Sequence, residues 1–538
     1  MKNFIIVFVC LIVMQSPYAQ VYQQWTARYN GPANSQDYAT WLAVDSSGNV
    51  YVTGYSFGSG TDYDYCTIKY NPTGVQQWVA VFDGTAHAVD KAGSVAVDQS
   101  GNVYVTGGSS GSTNYDMVTL KYNSAGIQQW AAVYNGPGNG ADYGVTMGLD
   151  NSGNVYVAGI SLGSGTGLDY CTIKYNPSGV QQWVQRYNGT SNSKDTIYNM
   201  AVDGSGNVYV TGYATNAGGN DYCTIKYNSS GVQQWVAIYN GASNSFDWSY
   251  SVSCDNSGNV YVTGASAVTG NGTDYVTIKY NSSGVQQWAS SYNGPYANGT
   301  DLGFSVRADG NGNVYMTGLS WGGAWQDYAT VKYNSSGVQQ WVSRYVGPNW
   351  DWAYQLRPDK YANVYVTGFS TVSGQDRNYC TIKYNTNGVQ QWLMMYDGPV
   401  NFTDEAKAME VDSAGNVYVT GFSYGSNVNY DYLTIKYAPV VGIKKISGST
   451  PGVYGLYQNY PNPFNPITKI TFSIPNSELV RLIVYDVLGR VAAIPINDKF
   501  NAGSYEMVFD GSNLPSGVYL YRIEAGDFRD VKKMILVK

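Results

Sequence analysis

The sequence predicts an all-β protein, an eight-bladed β-propeller followed by a small β-sandwich, on three observations. First, one pattern recurs eight times: Asp-x-x-Gly-Asn-Val-Tyr-Val-Thr-Gly, then Thr-Ile-Lys-Tyr-Asn, then Gly-Val-Gln-Gln-Trp, with small variations. Its asparagine falls at Asn49, Asn102, Asn154, Asn207, Asn259, Asn313, Asn363 and Asn416, 50 to 54 residues apart. A fixed period of that length marks one supersecondary unit copied and stacked. Second, 52 Tyr, 14 Trp and 63 Gly with only 12% charged residues suit strands and tight turns. Third, the eighth copy stops at Tyr437 without its Gln-Gln-Trp strand, and a spare copy of that strand stands at Val21 to Trp25.

Taken in chain order, residues 1–19 read as a secretory signal. Lys2 supplies the positive start, Phe4 to Met14 an apolar run too short to span a bilayer, and Ser16 to Ala19 a small-residue exit. No later stretch is long and apolar enough to predict a membrane span. Residues 20–437 then form the propeller. In the second unit the strands are read as Val95 to Val97, Val103 to Thr106, Met117 to Tyr122 and Ile127 to Tyr134. The turns after the first and third hardly vary in length, whereas the other two connections do. Four antiparallel strands in about 50 residues make a propeller blade; a parallel β-helix would need much shorter repeats. Strands apolar on both sides fit sheets sandwiched between neighbours. Residues 21–30 are expected to complete the last blade and close the ring, abolishing two exposed sheet edges.

The recurring Trp25, Trp78, Trp130, Trp183, Trp235, Trp288, Trp341 and Trp392 are expected to dock neighbouring blades together. The recurring lysines, Lys69 and Lys121 among them, read as snorkelling stems. Five cysteines follow Cys10, and four of them (Cys66, Cys171, Cys223, Cys380) share one repeat position, too far apart for disulfides and best read as small core residues.

These motifs resemble the bacterial SBBP β-propeller repeat family over nearly all of 21–437. The Asn-x-x-Gly-x-x-x-Trp hairpin is also similar to the tryptophan-docking repeats of quinoprotein-type propellers, with no catalytic residue to carry over. The family name implies seven blades; this chain has eight copies.

Alternation of constant turns and variable connections puts the constant turns on one face of the disc and the variable connections on the other, where recognition would be built. Two acidic sets point there. Asp37, Asp90, Asp142, Asp195, Asp247, Asp301, Asp351 and Asp404 precede the innermost strands; Asp64, Asp116, Asp169, Asp221, Asp274, Asp327 and Asp431 precede the third strands, with Asn378 in the seventh unit. The first set could ring a channel and hold Ca²⁺, which prefers oxygen ligands, or each carboxylate could pin its own loop through backbone N–H groups. No other cofactor is expected. Trp321, Trp325, Trp350 and Trp352, beside Tyr328 and Tyr354, fall on variable connections of adjacent units and form a candidate patch for a glycan or a surface protein.

Catalysis has little to work with. His87 is the one histidine, so neither a repeated Ser-His-Asp set nor a histidine metal cluster exists. Net charge is −7 with no basic stripe, which argues against nucleic acid. The expected role is an exported binding, adhesion or scaffold protein. The alternative is a carbohydrate-active enzyme, a glycoside hydrolase or lyase, using acids on the variable face.

After a linker at 438–453, residues 454–538 carry a separate β pattern: Ile467 to Ile474, Leu479 to Asp486, Gly503 to Asp510, Gly517 to Glu524 and Val531 to Val537. The module resembles the C-terminal sorting domain of the type IX secretion system of Bacteroidetes. The carrying residues are Asn459, Pro461, Pro463 and Phe464 in the Pro-rich opening, Asp486 and Gly489, Gly517 and Tyr519, and the basic end with Lys533 and Lys538. The resemblance implies the type IX machinery as partner and delivery to the cell surface or the medium.

Overall fold

The structure is a computed structural model that describes residues 21–111, 114–268, 272–296, 299–372, 376–426, 429–439, 444–446, 450–511 and 514–538. The signal-like segment 1–19 and parts of the linker lie outside the described residues. Among the described residues every regular element is a strand. The chain forms two compact units, the larger being Gln23–Ala438; Pro439–Lys538 belongs to the other.

The larger unit opens with β1 (Val21–Tyr29), followed by β2 (Asp37–Val44), β3 (Val50–Phe57), β4 (Tyr63–Tyr70) and β5 (Gln76–Phe82). Strands β2 to β5 make a four-stranded antiparallel sheet in chain order, and six further sheets repeat it. The eighth is composite: β1 lies beside Tyr430–Pro439, then Val417–Tyr424 and Asp404–Val411. The first strands are longer than periodicity suggested, running Asp90–Val97 in the second unit rather than from Val95. A bulge between Ala92 and Ser94 explains the difference, because the extra residue breaks the two-residue alternation.

Each Asp-x-x-Gly-Asn turn is held by its aspartate. Asp45 Oδ1 accepts from Ser47 N and Asn49 N, both at 2.9 Å, while Oδ2 accepts from Asn49 Nδ2 at 2.7 Å and Tyr51 OH at 3.0 Å. Gly48 closes the turn with φ of 79°, a conformation that favours glycine. The chain tolerates Ala362 in this place, at φ 62°.

Neighbouring sheets are joined by third-strand tyrosines that the repeat pattern did not single out. Tyr65 OH donates to Val118 O (3.4 Å), Tyr170 to Cys223 O (3.0 Å) and Tyr328 to Cys380 O (3.0 Å), each in the next sheet. Tyr432 makes the same bond from the eighth sheet to Cys66 O in the first, at 3.0 Å, so the last interface is built like the others. The tryptophans act differently from internal wedges. Seven are half-buried lids whose rings lie on the glycine turn of the next sheet: Trp25 Nε1 donates to Pro72 O at 3.0 Å, and a Cβ on Gly74 would fall 2.6 Å from that ring. Trp78, Trp130, Trp183, Trp235, Trp288 and Trp341 repeat the bond to Ser124, Pro177, Ser229, Ser282, Ser335 and Thr386. Trp392 faces the composite sheet, which has no such turn, and is buried instead (4% exposed). The lysines do snorkel: Lys69 Nζ lies 5.2 Å from the Tyr51 ring centre and donates to Ser124 O.

The cysteines after Cys10 are free, with Cys66, Cys171, Cys223 and Cys380 buried. Burial pushes the Cys66 and Cys171 thiols up to about 12, which leaves them protonated and unreactive at neutral pH.

The C-terminal unit is a β-sandwich of two four-stranded sheets around Phe464, Ile470, Phe472, Leu482, Tyr521 and Met534. One strand, Val491–Phe500, is missing from the sequence-based reading; it holds Pro495 and sits at a sheet edge, where a missing N–H is tolerated. The sorting-motif residues hold the fold. Asn459 Nδ2 donates to Thr468 Oγ1 at 2.9 Å, Phe464 is buried against Phe509, and Asp486 accepts from Leu488 N and Arg490 N around Gly489. Pro461 O accepts from Thr468 Oγ1, and Pro463 follows Asn462 through a cis bond. Gly517 opens a strand, Tyr519 OH donates to Pro515 O, Lys533 O accepts from Gln458 Nε2, and Lys538 N donates to Ser516 Oγ.

Candidate functional site

Each carboxylate of the inner acidic ring takes an N–H of its own loop, while Oδ1 of Asp37, Asp142, Asp247 and Asp351 is buried without a hydrogen-bond partner among the described residues. All eight carboxylates are fully buried. Each accepts from the glycine N–H that leads into its blade: Asp37 from Gly31 (2.6 Å), Asp90 from Gly84 (2.6 Å), Asp142 from Gly136 (2.8 Å), Asp195 from Gly189 (2.6 Å). The series continues with Asp247 from Gly241 (2.7 Å), Asp301 from Gly294 (3.0 Å), Asp351 from Gly347 (2.5 Å) and Asp404 from Gly398 (2.6 Å). Burial pushes Asp37 and Asp404 up to about 6 and Asp351 up to about 7, against the pull of these bonds.

The aromatic patch is brought together only in part. Trp325 and Trp350 meet edge to face with ring centres 5.5 Å apart, and stay 42% and 41% exposed. Trp321 ends a strand and pairs with Gln326. Trp352 lies on the first strand of the seventh blade, half-buried against Phe369 at 5.5 Å. Tyr328 is an interface tyrosine with no surface to offer.

Trp350 instead opens onto a cavity of about 500 Å³ between the seventh and eighth blades, reaching the first. Its lining is Tyr38, Trp350, Thr371, Asp376, Arg377, Thr403, Glu405, Phe422 and Tyr430. Tyr38, Phe422 and Tyr430 form an aromatic cluster with centres 5.0 to 5.5 Å apart. Opposite stands a charged group. Glu405, buried, pairs with Arg377 and with Lys407, and accepts from Tyr354 OH at 3.4 Å. The Arg377 guanidinium also lies 4.6 Å over the Phe369 ring, and Lys407 Nζ 4.3 Å over Tyr354. With Asp376 also in the lining, the two cations face two carboxylates, and fixed charges of both signs stand beside aromatic faces, a combination suited to polyhydroxylated ligands.

Of this lining only Trp350 was singled out from sequence. A signal for the rest existed in departures from the repeat. Glu405 stands where other units have Tyr38, Lys91, Tyr143, Thr196, Trp248, Leu302 and Trp352, and Arg377 where they have Tyr63, Tyr115, Leu168, Asn220, Thr273, Gln326 and Tyr430.

Comparison with known proteins bears on the chain as follows. The beta-propeller repeat family SBBP matches residues 24–60 and 182–220, and the secretion system C-terminal sorting domain family matches 458–538. An uncharacterized WD repeat-containing protein of Acanthamoeba polyphaga mimivirus is 22% identical over 471 residues; the match covers 73% of this chain and 30% of that protein's length. Among solved structures the chain is similar to PorZ, a surface component of the type-IX secretion system of Porphyromonas gingivalis, with TM-score 0.42 and 14% identity, over 92% of this chain and 65% of PorZ. It is also similar to Sqt1 from Chaetomium thermophilum (TM-score 0.47, 10% identity, 78% of this chain, all of Sqt1) and to a PL25 ulvan lyase (0.39, 12%, 69% and 95%). The chain carries SBBP beta-propeller repeats and a C-terminal type IX sorting domain, and so is a type IX-sorted β-propeller.

Proposed function

We propose that the propeller is a binding module that works outside the cell and recognises an oligosaccharide in the cavity between its seventh and eighth blades. The observation that carries this reading is the union, in one concave site on the variable face, of the exposed Trp325–Trp350 pair, the Tyr38–Phe422–Tyr430 cluster and the Arg377–Glu405–Lys407 group. Aromatic faces take the C–H faces of sugar rings, and fixed charges orient hydroxyl or carboxylate groups. A cavity of about 500 Å³ lies within the range of small-ligand sites. The sorting domain puts the propeller in the hands of the type IX machinery, and delivery to the cell surface or medium would set this face before extracellular glycans.

Turnover has less support than binding. Glycoside hydrolysis typically uses a pair of carboxyl groups flanking the scissile bond. Of the two acids lining the cavity, Glu405 has its oxygens engaged by Arg377, Lys407 and Tyr354, which leaves Asp376 without a second free carboxylate beside it. The test is a glycan array with the purified chain, alongside Trp350→Ala and Arg377→Ala variants checked for fold by circular dichroism. Binding to a defined glycan class, weakened in both variants, is expected. Binding that survives both substitutions would place recognition elsewhere.

A further inference from the structure

The two acidic sets meet across each blade boundary, the third-strand acid of one blade beside the first-strand acid of the next, and the boundaries differ in how that charge is met. At three of them an arginine on the fourth strand holds the third-strand acid: Arg186 on Asp169 at 2.9 Å, Arg344 on Asp327 at 2.7 Å and Arg28 on Asp431 at 3.0 Å. At another, Asn378 replaces the acid. Where Asp116 faces Asp142, Asp221 faces Asp247 and Asp274 faces Asp301, the residue leading into the connection is neutral: Asn135, Asn240 and Asn293. The boundary between the first two blades departs from all of these. There the connecting residue is Asp83, so three carboxylates converge, and one oxygen from each of Asp64, Asp83 and Asp90 lies within 4.8 Å of the others.

Third-strand acids commonly leave Oδ1 buried and unpartnered, as Asp116, Asp169, Asp221 and Asp431 do, but among the described residues only at the first boundary does a third carboxylate with an unpartnered oxygen join them within ion-binding reach. Asp64 is only 4% exposed, and its Oδ1 is buried with no hydrogen-bond partner, while Oδ2 accepts from Thr61 Oγ1. Asp83 Oδ1 is likewise buried and unpartnered. Its Oδ2 is bound at 2.5 Å by His87 Nδ1, where equivalent connections use an asparagine pair such as Asn135 and Asn139. Two orphaned carboxylate oxygens facing a third buried carboxylate are costly unless a cation meets them.

We propose that Asp64, Asp83 and Asp90 bind a single Ca²⁺ ion that clips the first blade to the second. The donor set is all hard oxygen, as Ca²⁺ prefers, and the separations fit ligands about 2.3–2.6 Å from one ion. His87 is a positioning residue, acting on Asp83 rather than on the metal. Coordination would be completed by backbone carbonyls or water, and binding would stabilise the folded ring by mass action.

The experiment is calorimetric titration of the EDTA-stripped, full-length chain with CaCl₂, paired with thermal melts with and without Ca²⁺. Asp83→Asn is the informative variant, because it restores the asparagine of five other units and should fold. One site is expected in the wild-type chain, with a Ca²⁺-dependent rise in melting temperature. In Asp83→Asn affinity should fall by about tenfold or more, as loss of one ligand charge predicts. Asp397→Asn, at the boundary where Asn378 already dilutes the charge, should bind as wild type. A wild-type chain indifferent to Ca²⁺, or a folded Asp83→Asn chain of unchanged affinity, would overturn the assignment.

Discussion

Replacing Arg28 with isoleucine should destabilise the ring by about 3 kcal/mol, and replacing Asp431 with asparagine in the same chain should recover most of that loss. Arg28 sits on β1, and its partners are 395 and 403 residues away on the eighth blade: Nη1 donates to Ser423 O and Asp431 Oδ2, both at 3.0 Å, and Nη2 to Ser423 Oγ at 2.6 Å. Isoleucine is what the fourth blade carries at this position, Ile238, so strand propensity is kept. What is lost is the one cation paired with Asp431 among the described residues; the Asp431 side chain is 4% exposed. Removing one partner of a buried pair costs roughly 3–5 kcal/mol. The repeat supplies an independent gauge. Asp274 occupies the same position without an arginine, and burial, with Asp301 nearby, pushes it from 3.8 up to about 6. At about 1.4 kcal/mol per pH unit that displacement corresponds to about 3 kcal/mol at neutral pH, an upper bound for Arg28 because burial already raises Asp431 with the arginine in place. The rescue follows the seventh blade, where Met395 stands in the arginine position and Asn378 in the acid position. Urea unfolding at pH 7, followed by tryptophan fluorescence and circular dichroism, measures both changes. The orphaned Asp431 would carry a raised pKa, so the single-variant defect should shrink toward pH 4 as that carboxylate protonates. A loss under about 1 kcal/mol, or a double variant no more stable than the single, would refute the argument that this ion pair secures ring closure.

Other outcomes follow from the same geometry. Trp392→Ala should cost about 3–5 kcal/mol in urea unfolding, more than Trp235→Ala, because Trp392 is buried and Trp235 only half-buried. In EDTA the thermal midpoint should peak near pH 4 to 5. Asp45, Asp98, Asp150, Asp203 and Asp255 are pushed up by burial but held below 3.8 overall by Asn and Tyr hydrogen bonds, so their contribution is lost below that pH. Asp37, Asp274 and Asp404, raised to about 6, and Asp351, raised to about 7, bind protons more tightly when folded, so their contribution is lost as pH rises from 3.8 through 6 to 7. A midpoint that climbs steadily from pH 4 to 8 would contradict these shifts. Truncation before Gln458 should keep the protein inside a type IX-competent host, read by immunoblot of cells and medium; undiminished export would assign sorting to another segment.

The repeat made the blade pattern legible because every copy solves the same local problem. Asp45 and its equivalents close their turns with their own side chains, so the motif carries its structure with it. The spare Gln-Gln-Trp strand at Val21 to Trp25 and the copy missing after Tyr437 were likewise readable as one composite sheet. Legibility failed where a side chain depends on a neighbouring blade. Trp321 and Trp325 fall close in sequence, yet one ends a strand and the other meets Trp350 in the next blade. Tyr65 and its equivalents looked like ordinary strand residues, and their donation to the next sheet is invisible without the stacking. The edge strand Val491–Phe500 was hidden by Pro495, a residue tolerated only because of where the strand sits.

Residues copied in every unit serve what every unit needs, while a residue found once serves something found once. The inner aspartates illustrate the first half: eight copies, each taking the N–H of its own incoming glycine. Arg377 and Glu405 illustrate the second, one the sole charge and the other the sole acid at its repeat position, and Asp83 is the one connecting acid that meets two others, since its equivalent Asp397 faces Asn378. Burying a charge is expensive, and most copies solve the same packing problem with a neutral residue. Glu405 is met by two cations from its own chain and faces a cavity. Asp83 adds a third carboxylate to a boundary with no arginine, and its buried Oδ1 has no partner in the protein. An oxygen-seeking divalent cation from solution is the partner proposed for that cluster.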